Sequence, residues 1–164
     1  RAMYIKLAFR PTTVLDVGCG MGNLVEMLRR LGVEAIGTEI NDYALSQVPD
    51  NLKGFFCKGD ILNIPFKDRA FDVVTTVNVL EHIPPESVPL GIRECARVSR
   101  LGMYQEIAVL EDKTAIRHPS HFSQYGASWW LSQFRDQLKG WKTKRGLRVP
   151  VFKNGIFLLR KVEG

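Results

Sequence analysis

Short β-prone apolar runs alternate along this chain with stretches whose apolar residues recur every three or four positions. Val14, Leu15 and Val17 make the first run, of the kind that suits a buried strand. Residues 23–31 follow with helical spacing and are closed by Gly32. Further strands are predicted over 33–38, 54–58, 70–79 and 103–110, the pattern F-D-V-V-T-T-V within 70–79 being the strongest. Helical patterns lie over 4–8, stopped by Pro11, and over 43–48, capped by Asp42 and closed by Pro49. Two more cover 86–98, with Val88, Ile92, Cys95 and Ala96 on one side, and 128–138. Strand-like stretches around 147–152 and 156–162 are joined only by Lys153, Asn154 and Gly155. That link is too short to cross over a sheet, so the two are predicted to pair as an antiparallel hairpin. The alternation predicts an α/β fold, a doubly wound three-layer sandwich. Its mostly parallel seven-stranded sheet would finish in the C-terminal antiparallel hairpin.

Composition narrows the class without naming a reaction. The 164 residues, 45% hydrophobic and 24% charged, fit one domain over 1–164. A first residue other than Met fits a chain cropped at its N-terminus. No apolar run approaches the roughly 20 residues of a membrane helix, and residues 1–10 lack the features of a signal peptide. Cys19, Cys57 and Cys95 are an odd number with no C-x-x-C pair, which disfavours a disulfide framework or zinc site and points to a reducing cytoplasm. Cys57 and Cys95 are expected to be small core residues. The net charge of +6 is concentrated late. Lys139, Lys142, Lys144, Arg145, Arg148, Lys153, Arg160 and Lys161 occur with no acid between them. Such a run is a solvated surface or a seat for an anionic partner. Without an aromatic RNA-binding motif beside it, nucleic acid stays open but not favoured.

The chemistry is concentrated where the first strand ends. Residues 14–24 read V-L-D-V-G-C-G-M-G-N-L, with Gly18, Gly20 and Gly22 at every second position before a helix. Glycine permits positive φ and removes the Cβ that would keep a ligand away, and amides at a helix start favour an anionic group. The spacing G-x-G-x-G is not the G-x-G-x-x-G of a dinucleotide fold, which disfavours a nicotinamide dehydrogenase, and no P-loop is present. In an open α/β sheet ligands bind outside the carboxyl ends of the strands. There Glu39 follows the second strand, Asp60 and Ile61 the third, and Asn78, Glu81 and His82 the fourth.

The run D-V-G-C-G-M-G resembles the first motif of class I S-adenosylmethionine-dependent methyltransferases. G-D-I-L-N-I-P-F-K-D and F-D-V-V-T-T-V-N-V-L-E-H-I resemble their third- and fourth-strand motifs. The resemblance covers nearly the whole chain and implies S-adenosyl-L-methionine as cofactor. On it, Glu39 would hold the ribose, and Asp60 with Ile61 the adenine. Gly18, Gly20, Gly22 and the backbone near Asn78 would face the methionine end, and Asp16 would hold the loop or the methionine amine. The segment H-P-S-H-F-S-Q-Y-G-A-S-W-W resembles a D-P-T-H-like segment that lies over the active site in some of these enzymes, with His118 in place of the acid. His121 and His82 are the candidate catalytic bases. Trp129, Trp130 and Phe134 are expected to pack the last helix, and Phe122 or Tyr125 to line an acceptor pocket.

The expected activity is methyl transfer to an unidentified acceptor, a small molecule before a macromolecule. One alternative is a cofactor-binding or degenerate domain without turnover. Another is a metal-assisted RNA 2′-O-methyltransferase, whose E-x-x-E-H…H set would fall on Asn78, Glu81, His82 and His121. Asn78 is a weaker ligand than the carboxylate of that pattern, and no metal site is expected.

Overall fold

A computed structural model describes residues 1–110, 119–146 and 155–162. Helix α1 (Ala2–Phe9) is followed by β1 (Thr13–Val17), α2 (Asn23–Arg30), β2 (Glu34–Glu39) and α3 (Asp42–Ser46). Next come β3 (Phe56–Lys58), β4 (Phe71–Val77), α4 (Val88–Val98) and β5 (Ser99–Ile107). Helix α5 (Ala127–Gln137), β6 (Trp141–Arg145) and β7 (Gly155–Lys161) complete the order. The seven strands form one sheet in the order β3-β2-β1-β4-β5-β7-β6. β1 to β5 are parallel, and β7 runs antiparallel to both β5 and β6.

Alternation along the strands sends apolar side chains to both faces, which is why the sheet is covered twice. On one face Val14, Ala35 and Val73 pack with Ala2, Ile5 and Phe9 of α1 and with Val25 and Leu28 of α2. On the other, Leu15, Val17, Val74 and Met103 pack with Ile92 and Cys95 of α4 and with Trp130 and Phe134 of α5. The chain steps outward from β1 through β2 to β3, then returns to lay β4 on the far side of β1. That reversal opens a crevice beyond the carboxyl ends of β1 and β4.

Several boundaries differ from expectation. Asn41, not Asp42, caps α3, its Oδ1 accepting from the amides of Tyr43 and Ala44. The third strand is only Phe56–Lys58, because Asp50–Phe55 winds into a 3-10 turn. The fourth stops at Val77, since Asn78 takes a left-handed φ of 55° that no strand continues. The fifth starts directly after α4 and ends at Ile107. The hairpin partner of β7 is Trp141–Arg145, whereas the expected strand at 147–152 and the link Lys153-Asn154 lie outside the described residues. Cys95 is a core residue, but Cys57 is half-buried.

Candidate functional site

The crevice at the strand reversal is a cavity of about 380 Å³, within the usual range of small-molecule sites of roughly 300–1,000 Å³. Gly18, Glu39, Asp60, Ile61, Asn78 and His82 all line it, together with Val79 and Ile83. Asp16, Gly20, Gly22 and His121 are not part of that lining.

The loop after β1 is clamped onto the end of β2. The amides of Gly18 and Cys19 both donate to the Thr38 carbonyl, at 2.8 and 3.0 Å. The Gly20 amide donates to Glu39 Oε2 at 2.9 Å. Glu39 Oε1 accepts from the amides of Ile40 and Asn41, at 2.9 and 3.0 Å. The anion met by the glycine loop is thus first of all the chain's own carboxylate. A carboxylate offers about four lone-pair sites, so Glu39 keeps one for a ligand. Gly18 carries φ 71°, and a Cβ on it would lie 2.4 Å from Val79 Cγ2. At Gly20, φ 55°, a Cβ would meet nothing within 4 Å, so the loop presents bare backbone there.

Asp60 is held by an Asx-type turn in which its Oδ1 accepts from the Leu62 amide at 2.9 Å. The Asn78 amide donates to the Glu106 carbonyl at 2.9 Å, which ties the end of β4 to β5. Asp16 lies inside the sheet, accepting at Oδ1 from Thr75 Oγ1 at 2.8 Å. Burial pushes its carboxyl up to about 7 from the ordinary 3.8, with Thr75 opposing the shift and Glu39 adding to it. The folded protein therefore keeps this proton over a range in which the unfolded chain has lost it. Stability should fall as pH rises from about 4 to about 7 and then level off. Asp16→Asn cannot ionise, so its thermal midpoint relative to the parent should be higher at pH 8 than at pH 5. Parallel melts at the two pH values check this, and an equal difference at both would refute it.

On the far side of the cavity, His82 is the last residue of the 3-10 turn Leu80–His82. Its Nδ1 lies 2.9 Å from the Ser120 carbonyl oxygen, and its ring meets that of His121 edge to face, with centroids 4.6 Å apart. A carbonyl only accepts, so Nδ1 is the donor in this contact and Nε2 is the ring nitrogen left with a lone pair. Glu81 beside it is wholly buried. Its Oε1 accepts from the Ala108 amide at 2.8 Å, its backbone carbonyl accepts from the Ser123 amide at 3.0 Å, and its Oε2 has no hydrogen-bond partner among the described residues. Burial pushes the Glu81 carboxyl up. The turn thus ties the end of β5 and the 120–123 segment to the cavity wall. Among the described residues, no three of His, Cys, Asp and Glu come together as a metal site. His118 lies outside the described residues. Phe122 is exposed and Tyr125 stacks on Trp129 at 3.9 Å, neither lining the cavity. Val79, Ile83 and the Ser120 carbonyl carry no sequence signal, since each matters only through a contact made by folding.

A family model described as a methyltransferase domain matches residues 15–104, more than half of the chain, from β1 through most of β5. The chain belongs to the class I S-adenosylmethionine-dependent methyltransferases. This methyltransferase domain is 33% identical over 138 residues to the ubiquinone biosynthesis O-methyltransferase of Hahella chejuensis, covering 79% of the chain and 55% of that protein. It is 36% identical over 88 residues to sterol 24-C-methyltransferase erg6 of Schizosaccharomyces pombe, covering 48% of the chain and 23% of that protein. The domain spans between about a quarter and just over half of the curated relatives it matches. In fold it matches the crystal structure of the [4+2]-cyclase SpnF, with TM-score 0.78, 17% identity and coverage of 99% of the chain and 80% of the other.

The residues present fit S-adenosylmethionine. Glu39 offers an acceptor for a ribose hydroxyl and Asp60 one for an adenine amine, both in the cavity wall. At Gly20 no Cβ narrows the approach.

Proposed function

We propose that this domain transfers a methyl group to a small organic acceptor, with His82 as the base. The observation that carries the reading is the convergence of Glu39, Asp60 and His82, from three different strand ends, on one cavity. Bound S-adenosylmethionine supplies an electrophilic methyl on a sulfonium, a good leaving centre. Glu39 and Asp60 hold the ribose and adenine, which leaves the methionine end facing Gly18 and Asn78. His82 takes the acceptor's proton at Nε2, the Ser120 carbonyl keeping Nδ1 protonated. His121 supports the ring by its edge-to-face contact. The similar proteins named for sterol and ubiquinone chemistry support a small acceptor, as does the modest size of the cavity.

Calorimetric titration with S-adenosylmethionine, followed by a turnover screen over phenols, amines and activated carbon acids, tests the reading. The expected result is cofactor binding with release of S-adenosylhomocysteine on one acceptor class. Absence of cofactor binding would overturn it. His82→Gln should lower kcat by about 100-fold or more, the usual share of a positioned base, while leaving cofactor affinity unchanged. An unchanged kcat would remove His82 from the chemistry. A second reading, cofactor binding without methyl transfer, is favoured by one finding. A cyclase shares this fold, so the architecture alone does not dictate the reaction. Binding without turnover across the screen would select it.

A further inference from the structure

A second, larger cavity lies at the other end of the sheet from the cofactor site. It is an open cleft of about 960 Å³ lined by Arg69, Arg100, Lys142, Arg160 and Lys161, with Leu101 and Val162 between them. These residues come from the turn before β4, the start of β5, the start of β6 and the end of β7, brought together because β7 runs antiparallel to its neighbours. Lys142 and Arg160 are register partners, and Arg160 also faces Gly102 of β5. The nine residues of β5, at about 3.3 Å each, separate the cleft from the cofactor cavity by on the order of 25 Å.

Among the described residues, most of its charge has no acidic partner. Arg100 pairs with Asp72, but Arg69, Lys142, Arg160 and Lys161 have no carboxylate partner among the described residues. Arg160 is nonetheless anchored, donating to the Ala8 carbonyl and lying 4.8 Å over the Phe9 ring. Arg69 holds a left-handed φ of 56°, a conformation that non-glycine residues seldom adopt. Its amide donates to the Arg97 carbonyl at 2.8 Å, which fixes that turn at the edge of the cleft.

We infer that this cleft binds the phosphate backbone of single-stranded nucleic acid. A phosphodiester strand carries a charge at every nucleotide, so a few nucleotides meet all four of these cations, whereas a polypeptide would need consecutive acidic residues to do so. Arginine forks suit phosphate oxygens. A cleft of this volume seats a short length of single strand, not the breadth of a duplex, and its concavity does not suit a flat lipid surface. Among the described residues its lining holds no aromatic side chain, so bases find no stacking platform there and binding should be indifferent to sequence. The distance from the cofactor cavity makes the cleft a tether and not the place of reaction.

Fluorescence anisotropy with a labelled 20-nucleotide oligouridylate, titrated between 50 and 200 mM KCl, tests this. Four neutralised phosphates predict a log–log salt slope near −3, or about 50-fold weaker binding across that range. The triple variant R69Q/K142Q/K161Q should bring the slope to about −1 with an unchanged thermal midpoint. Three outcomes would overturn the inference: no binding at 50 mM KCl, an unchanged slope in the variant, or poly-L-glutamate competing as well as unlabelled oligouridylate at equal charge.

Discussion

Glu39→Ala weakens S-adenosylmethionine binding by about 30-fold or more, roughly 2 kcal/mol, the worth of charged hydrogen bonds lost on one side. The expectation follows from the double duty of this carboxylate. It faces the cavity, and it also holds the amides of Gly20, Ile40 and Asn41. Alanine removes the carboxylate proposed to accept from a ribose hydroxyl and releases the glycine loop at the same time. Glu39→Gln keeps one oxygen and should lose less. Calorimetric titration of both variants separates the two effects, because loosening of the loop alone would appear mainly as a less favourable entropy. An affinity equal to that of the parent would mean that Glu39 does not hold the ribose.

Gly18→Ala should cost about 2–4 kcal/mol of stability, from the positive φ and from overpacking together. In a domain of this size that lowers the thermal midpoint by roughly 5–15 °C. The new methyl would lie 2.4 Å from Val79 Cγ2. Val79 is itself part of the cavity wall, so relief of the clash moves the wall. Cofactor affinity should therefore fall even at temperatures where the variant is fully folded. Scanning calorimetry and titration at 15 °C check the two parts. A variant with the parent's midpoint would show that the loop accepts a side chain at this position.

The order of strands and helices was legible because each element buries one face and so carries its own period. The cavity was legible because its polar residues follow strand ends, where an α/β sheet places them. What escaped depends on partners distant in sequence. Strand β6 reads W-K-T-K-R; among the described residues it borders only β7, with Trp141 and Thr143 half-buried and Lys142 and Lys144 exposed, so its apolar signal is faint. Phe55 looked like a strand residue, but it belongs to a 3-10 turn and meets the Arg29 guanidinium of α2 at 3.3 Å from its ring centroid. The cap of α3 is Asn41, one residue before the expected Asp42, because it is the Asn41 side chain that reaches the amides of Tyr43 and Ala44. The burial of Glu81 could not be foreseen either, because its amide partner, Ala108, comes from beyond the next strand. Glycine-loop amides that sequence alone leaves free for a ligand are spent on Thr38 and Glu39.

Strand β7 lies between β5 and β6, although it is made after both. During synthesis β6 therefore leaves the ribosome with no edge to join, and β5 waits with one side bare. The sheet closes only when β7 slots into the gap. Biogenesis of this domain should therefore end in a single late step in which both strands gain their partner at once. Nascent chains stopped before residue 155 should remain open to chaperones and proteases along the β5 edge.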